Sequence, residues 1–328
     1  MDGYAVEVEG LVKKFGDLVA VDGISFTVDR GEIFGFLGPN GAGKTTTINM
    51  LCTLLTPTAG TARVDGYDVH GQKSEVRRSI GLVFQDPSLD DRLTANENLD
   101  FHAVIYAVLP GEREKRKREL LEMVDLLDRA DDLVITFSGG MKRRLEIARG
   151  LLHYPKVLFL DEPTIGLDPQ TRKYIWEYIE DLKKREDTTI FLTTHYMEEA
   201  EHCDRIAIID HGKIIALDTS ENLKNMVGGD VIRMKTDDDA RAEEELKRRY
   251  DIKLLEDRDC LCFEVNRGDE FIPQLIREFG VGIQSIGLHR PTLDDVFLKL
   301  TGREIREEGA DELEIMRRTV RVRPPFAR

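Results

Sequence analysis

Long apolar runs are missing from this 328-residue sequence. No stretch reaches the roughly 18 to 20 residues that a membrane-spanning helix needs, so nothing in it reads as a bilayer span. The N-terminal "MDGYAVEVEG" lacks the basic-then-apolar pattern of a secretory signal, which points to a cytoplasmic chain. Cysteine is scarce. The four present, Cys52, Cys203, Cys260 and Cys262, suggest no disulfide framework. Cys260 and Cys262 alternate on an expected strand. A metal or redox pair there would lack further ligands, and small buried apolar side chains are the simpler reading. Basic charge is in deficit, with 47 Lys and Arg against 62 Asp and Glu and a net charge of -15. That excludes a broad nucleic-acid footprint, which needs clustered cations over most of one face.

What is present is an alternation of strands and helices. "YAVEVEGLV" and "ISFTV" alternate like half-buried strands, whereas "GEIFGFLG", "KVLFLDEP" and "TIFLTTH" are short continuous apolar runs. Such runs, separated by helices, predict a parallel sheet covered on both faces. A helical insertion interrupts this pattern from Asp86 to about Ile135. It opens on the capping-box pair Thr94 and Glu97, and the loop "PGE" divides its two helices. The α/β core is expected to close near Asp218, giving a domain over 1–220 with a helical subdomain at about 86–148. Beyond it, residues 221–302 read as β-α-β-β-α-β, a small ferredoxin-like α+β domain, followed by the helix "TLDDVFLKLTG". Residues 303–328 are charged. A mobile tail is the plain reading, and a basic contact with lipid headgroups or a partner is the sharper one.

Gly38, Pro39, Asn40, Gly41, Ala42, Gly43, Lys44 and Thr45 spell G-x-x-x-x-G-K-[ST] between an apolar strand and a helix that continues with Thr46. In that setting the glycines let backbone N–H groups face phosphate oxygens at a helix N-terminus. Lys44 would pair with the β- and γ-phosphates, and Thr45 would ligate Mg²⁺. Asp161 ends the strand "VLFL" and suits the same cation, while Glu162 is placed to polarise an attacking water. His195 closes "TIFLTT" at the carboxyl edge of the sheet, where ligands of open α/β folds gather, and suits a γ-phosphate contact. Gln85 follows "IGLVF" and can reach the metal or the water.

"FSGGMKRRLEIARG" builds a second anion cradle far from the first, with Ser138, Gly139 and Gly140 ahead of an apolar-periodic helix. The phosphate loop, Gln85, "FSGGM", "LFLDEP", "GLD" and His195, in that order, resemble the ATP-binding subunit of ABC transporters over about residues 3 to 220. The resemblance implies a cassette with a mostly parallel core sheet, an N-terminal antiparallel β subdomain and a helical subdomain. It also implies that Ser138 and the amides of Gly139 and Gly140 cap ATP held by a second, head-to-tail chain. Asp168 would lie at that dimer contact, and Phe15 would stack on adenine. Phe137 stands where the common pattern has Leu, Met141 where it has Gln, and Phe15 where it has Tyr. The Met141 exchange removes a side-chain amide but leaves the backbone donors.

"THYMEEAEHCDRIAIIDHGKIIALDTSENLK" and "PTLDDVFLKLTGRE" look like the daunorubicin-resistance type of exporter ATPase. This implies efflux of a drug-like or lipid-like substrate through membrane-spanning permease subunits on separate chains. ATP and Mg²⁺ would be the cofactors, and the chain, paired as a homodimer, would sit on the inner face of the cell membrane. Two rivals belong to other classes. A soluble ABC-type ATPase acting on ribosomes or DNA would usually show two cassettes or a long coiled coil, and neither is present. A regulatory module binding a small molecule through 231–302 would show ligand-dependent ATPase in the full chain alone.

Overall fold

The computed structural model describes residues 3–85, 88–186, 188–255 and 260–302. The charged tail at 303–328, the expected polar turn at 257–259 and the first two residues of the helical insertion lie outside them. Two compact units divide the chain between Leu217 and Asp218.

The first unit opens with strands β1 (Val6–Phe15), β2 (Leu18–Val28) and β3 (Ile33–Leu37), then helix α1 (Lys44–Leu51). Next come β4 (Ala59–Val64), β5 (Tyr67–Asp68), α2 (Lys73–Ser79) and β6 (Ile80–Val83). The helical insertion holds α3 (Ala95–Ile105) and α4 (Pro110–Met123), and α5 (Gly139–Gly150) returns the chain to the core. The unit finishes with β7 (Val157–Asp161), α6 (Pro169–Glu186), β8 (Thr189–Thr194), α7 (Met197–Ala200), β9 (Arg205–Asp210) and β10 (Lys213–Asp218).

Two sheets result, ordered β2-β1-β4-β5 and β10-β9-β3-β8-β7-β6. The first is antiparallel, and β9, β3, β8, β7 and β6 of the second run parallel. Every residue of β3, β7 and β8 is buried, as sequences apolar on both faces require. Phe26 of β2 packs on Phe34, Phe36 and Phe191 with ring centroids 5.5 to 6.0 Å apart. This aromatic cluster seals the antiparallel sheet onto the parallel one. The sheet order sends the carboxyl ends of β3, β6, β7 and β8 to one edge, so the loops after these strands converge.

In the helical insertion, Thr94 and Glu97 form the expected reciprocal cap of α3. "PGE" is not a separate loop: Pro110 is the first residue of α4, where its fixed φ suits a helix and its missing N–H costs nothing.

The second unit contains α8 (Ser220–Asn225), β11 (Asp230–Thr236), α9 (Asp239–Tyr250), β12 (Leu254–Leu255), β13 (Leu261–Val265), α10 (Gly268–Glu278), β14 (Ile283–His289) and α11 (Leu293–Thr301). Its antiparallel sheet is ordered β12-β13-β11-β14, the arrangement of a split βαβ fold. Cys262 is buried in β13, but Cys260 precedes the strand and is half-buried, so the two do not share a strand face. Cys52, Cys203 and Cys262 are free thiols.

Candidate nucleotide site

The loop from Gly38 to Gly43 is shaped by positions where a side chain cannot fit. A Cβ on Gly38 would lie 2.3 Å from the carbonyl oxygen of Ile209. Gly43 has φ +106, and a Cβ there would lie 2.5 Å from the Ala20 carbonyl. The amide of Gly38 donates to the Thr194 carbonyl at 3.2 Å, which ties the loop to the end of β8. Gly43 caps α1 without any side-chain hydrogen bond, so the first-turn amides of that helix are left for an anion.

Lys44 is buried, and its ammonium donates to the Gly38 carbonyl at 2.8 Å and the Pro39 carbonyl at 3.1 Å. It also pairs with Glu162 Oε1 at 3.1 Å. Burial lowers the Lys44 pKa, and the Glu162 charge works against that shift. On the other side of Glu162, Oε2 lies 3.2 Å from His195 Nδ1. Burial alone would raise the Glu162 pKa, but His195 and Lys44 outweigh it and hold the carboxyl below its ordinary value. Asp161 Oδ1 accepts from Thr193 Oγ1 at 2.5 Å and Thr45 Oγ1 at 3.3 Å, and burial raises its pKa despite these bonds.

Glu162 adopts φ +46, the left-handed region. For a residue with a long side chain this costs on the order of 1–3 kcal/mol, and it persists only where surrounding contacts enforce it. Its amide is held by Thr193 Oγ1 at 3.0 Å. The strained turn projects the carboxylate between Lys44 and His195. Gln85 is exposed just beyond β6, and it lines a pocket of about 510 Å³ together with Thr45, Phe84 and Asp161.

The structure therefore assembles Lys44, Thr45, Asp161, Glu162 and His195 into one cluster, with Gln85 on its rim. Ser138, Gly139 and Gly140 stand apart from it. Among the described residues no hydrogen bond or ion pair joins them to Lys44, Asp161 or Glu162. Ser138 caps α5, its Oγ accepting from the Met141 amide at 3.3 Å, and both Ser138 and Gly139 are exposed. Gly140 is buried, and a Cβ there would meet Thr171 Cγ2 at 2.4 Å, so its glycine is a packing requirement. Asp168 is exposed and caps α6 within this chain, accepting from Thr171 N at 3.0 Å and Thr171 Oγ1 at 2.6 Å. Phe15, at the end of β1, is 47% exposed, and the Lys13 ammonium lies 5.0 Å from its ring centroid. The exposed face leaves room for a flat ring to stack.

Sequence reasoning missed Thr193, Arg143, Glu146 and Glu199, all buried. The Glu199 carboxylate accepts from Thr164 and, at 2.7 Å, from Thr194, so it joins the turn after the acidic strand to the strand end before His195. Burial raises its pKa. For Arg143 a signal did exist. It falls at helical spacing between Gly140 and Ile147, on the buried face of α5.

Comparison with known proteins agrees with this geometry. Residues 21–165 match the ABC transporter family. The chain is 42% identical over 331 residues to a daunorubicin resistance ATP-binding protein of Streptomyces coeruleorubidus, covering 95% of this chain and 99% of that one. It is 41% identical over 308 residues to Nod factor export ATP-binding protein I of Ralstonia nicotianae, covering 92% and 95%. Among solved structures, the dimeric post-hydrolysis state of the ATP-binding cassette MJ0796, bound to ADP and Pi, is 29% identical with a TM-score of 0.59. It covers 65% of this chain and 98% of that one. With the phosphate loop, the acidic strand end and the second cradle all in place, this chain belongs to the ATP-binding, ATP-hydrolysing subunits of ABC transporters, in the daunorubicin-resistance group.

Proposed function

We propose that the chain is the motor of an exporter, two identical copies closing head to tail over two ATP molecules beneath separate membrane-spanning subunits. One observation carries this reading: the Ser138–Gly139 helix start is exposed, cradles no group of its own site and has the donors an anion needs. A second copy's triphosphate is the ligand that fits. The relative solved as a dimer supports the pairing, and the relative named for Nod factor export supports the direction of transport.

Thr45, Asp161 and Gln85 supply one hydroxyl, one carboxylate and one amide around a single pocket. That oxygen set suits Mg²⁺, which takes one or two carboxylates plus substrate phosphates rather than a full protein cage. The cation would supply charge neutralisation between the β- and γ-phosphates. Lys44 is satisfied by Gly38, Pro39 and Glu162. Phosphate oxygens replace these partners when ATP binds. Glu162 then loses its cationic neighbour, and its pKa moves up toward that of a useful proton acceptor. Held by His195 and by the left-handed turn, it can take a proton from the attacking water. His195, with Nδ1 facing Glu162, can contact the γ-phosphate through its other ring nitrogen.

The helical insertion offers the surface on which a membrane subunit can rest. Phe101, Val104 and Ile105 on α3, and Leu109 after it, are 57 to 63% exposed. Apolar groups grouped in this way on one element mark an interaction site. No described helix is long and apolar enough to cross a membrane, so the translocation path belongs to another chain. A drug-like or lipid-like substrate, and a place at the inner face of the cell membrane, follow from this reading.

Glu162→Gln is expected to lower turnover by about a hundredfold or more, the scale of a lost general base. With ATP and Mg²⁺ it should elute as a dimer on sizing chromatography. Monomer alone under those conditions would overturn the head-to-tail reading.

A further inference from the structure

Arg143 sits five residues after Ser138, on the same helix, with its side chain 7% exposed. Its Nε donates to the Pro163 carbonyl at 2.7 Å and its Nη2 to the Asp161 carbonyl at 3.0 Å. Those two carbonyls bracket Glu162. The same guanidinium donates through Nη1 to the Phe84 carbonyl, immediately before Gln85, and to Glu146 Oε2 at 3.3 Å. Glu146 is fully buried, and its Oε1 accepts from Ser88 N at 2.6 Å and Ser88 Oγ at 3.1 Å. One ion pair therefore grips the chain on both sides of Gln85 and on both sides of Glu162.

An ordinary structural ion pair would not need this arrangement. Two buried charges are costly to desolvate, and well-packed apolar residues would hold a helix to a sheet as firmly. A planar fork with five donors spreads its bonds over widely separated acceptors in fixed directions, here three carbonyls and a carboxylate, where a lysine ammonium is a compact point charge. The left-handed backbone at Glu162 has to be enforced from outside, and Arg143 holds the carbonyls of the residues before and after it, Asp161 and Pro163.

We propose that Arg143, fixed by Glu146, is a positioning residue for hydrolysis. It imposes the Glu162 turn in its own chain and sets the Gln85 strand end against it, so that the carboxylate meets the water only when this ion pair is intact. This rests on the reading of Glu162 as the proton acceptor. It adds a consequence for coupling: the helix that lends Ser138 to the partner's ATP is bonded directly to the backbone of its own chain's hydrolytic residues. Movement of one is felt by the other.

The test measures kcat, ATP affinity and Tm of the full-length chain for Arg143→Gln, Arg143→Lys and the double variant Arg143→Gln/Glu146→Gln. Arg143→Gln alone leaves Glu146 unpaired and buried, so a loss of Tm is expected there. The double variant removes both charges and should recover most of that Tm. Turnover in all three should stay at least about tenfold below wild type, the scale of a misplaced catalytic group, with ATP affinity within about twofold. Recovery of turnover along with Tm in the double variant, or full activity in Arg143→Lys, would overturn the proposal.

Mixing assigns the affected site. Arg143→Gln combined with Ser138→Ala should regain turnover, because one composite site then has an intact Glu162 setting and an intact serine. Arg143→Gln combined with Lys44→Ala should not. The reverse pattern would mean that Arg143 acts through the lent serine, and would refute its assignment to Glu162. Failure of Lys44→Ala and Ser138→Ala to complement each other would count against the dimer reading alone, leaving the turnover measurements to decide on Arg143.

Discussion

The first unit buries Lys44, Arg143, Glu146, Arg149, Asp161, Glu162 and Glu199, whereas Thr236 is the only buried polar residue that the second unit shows among the described residues. The core of the second unit is otherwise Ile232, Met234, Leu246, Phe263, Leu275 and similar side chains. Both units satisfy the ordinary requirement of an apolar centre under sheets and helices. Only the first also carries ionised groups out of water, at an effective penalty of several kcal/mol per ion before pairing. Much of that charge, Lys44, Arg143, Asp161 and Glu162 among it, lies where strands β3, β6, β7 and β8 end and is offset there by pairing, whereas Glu32, Arg116 and Lys117 are buried elsewhere in the unit. Buried charge is therefore not confined to the candidate site, but among the described residues only the first unit has any.

Three substitutions can sharpen or break this contrast. The largest effect is expected from Lys44→Ala, which removes the buried cation that contacts the phosphate loop and, among the described residues, leaves Glu162 its ion-pair contact with His195. ATP binding, measured by equilibrium dialysis, should fall below detection. Affinity within about tenfold of wild type would mean that the loop amides suffice.

Phe263→Ala should destabilise the second unit by about 3–5 kcal/mol, the usual result of emptying an aromatic core position. Urea unfolding would read this as an earlier transition, while ATP affinity of the chain should be unchanged. A parallel loss of ATP affinity would show that the units are not separable in energy.

The smallest effect concerns pH. Burial, with some help from Arg149, lowers the His102 pKa to about 4 from its ordinary value of 6.5. The folded chain therefore keeps this imidazole neutral, while the unfolded chain protonates it below about pH 6.5. Its contribution to stability is fully present above that value and is lost as pH falls from 6.5 toward 4. His102→Gln should flatten the fall in Tm across that window. An unchanged slope would show that His102 takes its proton in the folded state as readily as in the unfolded one.

How much of this could be read from residues alone follows from how far apart partners lie in the chain. The phosphate loop is local. Gly38, Gly43 and Lys44 are six positions apart at most, and their roles follow from backbone freedom and one long cationic side chain. The acids at the end of β7 were visible because an apolar run led into them. The helical spacing of Arg143 marks a buried position, but its role was not legible, because that depends on Asp161 and Phe84, 18 and 59 positions away. Read as a charge run, "MKRRLE" suggests a solvated face, and tertiary packing shows that the middle one of its three basic residues, Arg143, points inward. Asp168 illustrates a different limit. Resemblance placed it at a dimer contact, while within this chain it caps α6, and a single chain can display only the second role. "PGE" was misread because Pro-Gly marks loops on average, although proline at the first helical position is equally well founded.

The claim that organises all of this is that Lys44 and Ser138 of one chain never serve the same ATP. It is tested most directly by purifying a Lys44→Ala copy and a Ser138→Ala copy, each inactive, and measuring phosphate release from their mixture with ATP and Mg²⁺. Turnover should return in the mixture, because one of the two composite sites then contains neither defect. If the mixture stays as inactive as its components, and neither copy inhibits the unaltered chain, the two cradles are not shared between molecules.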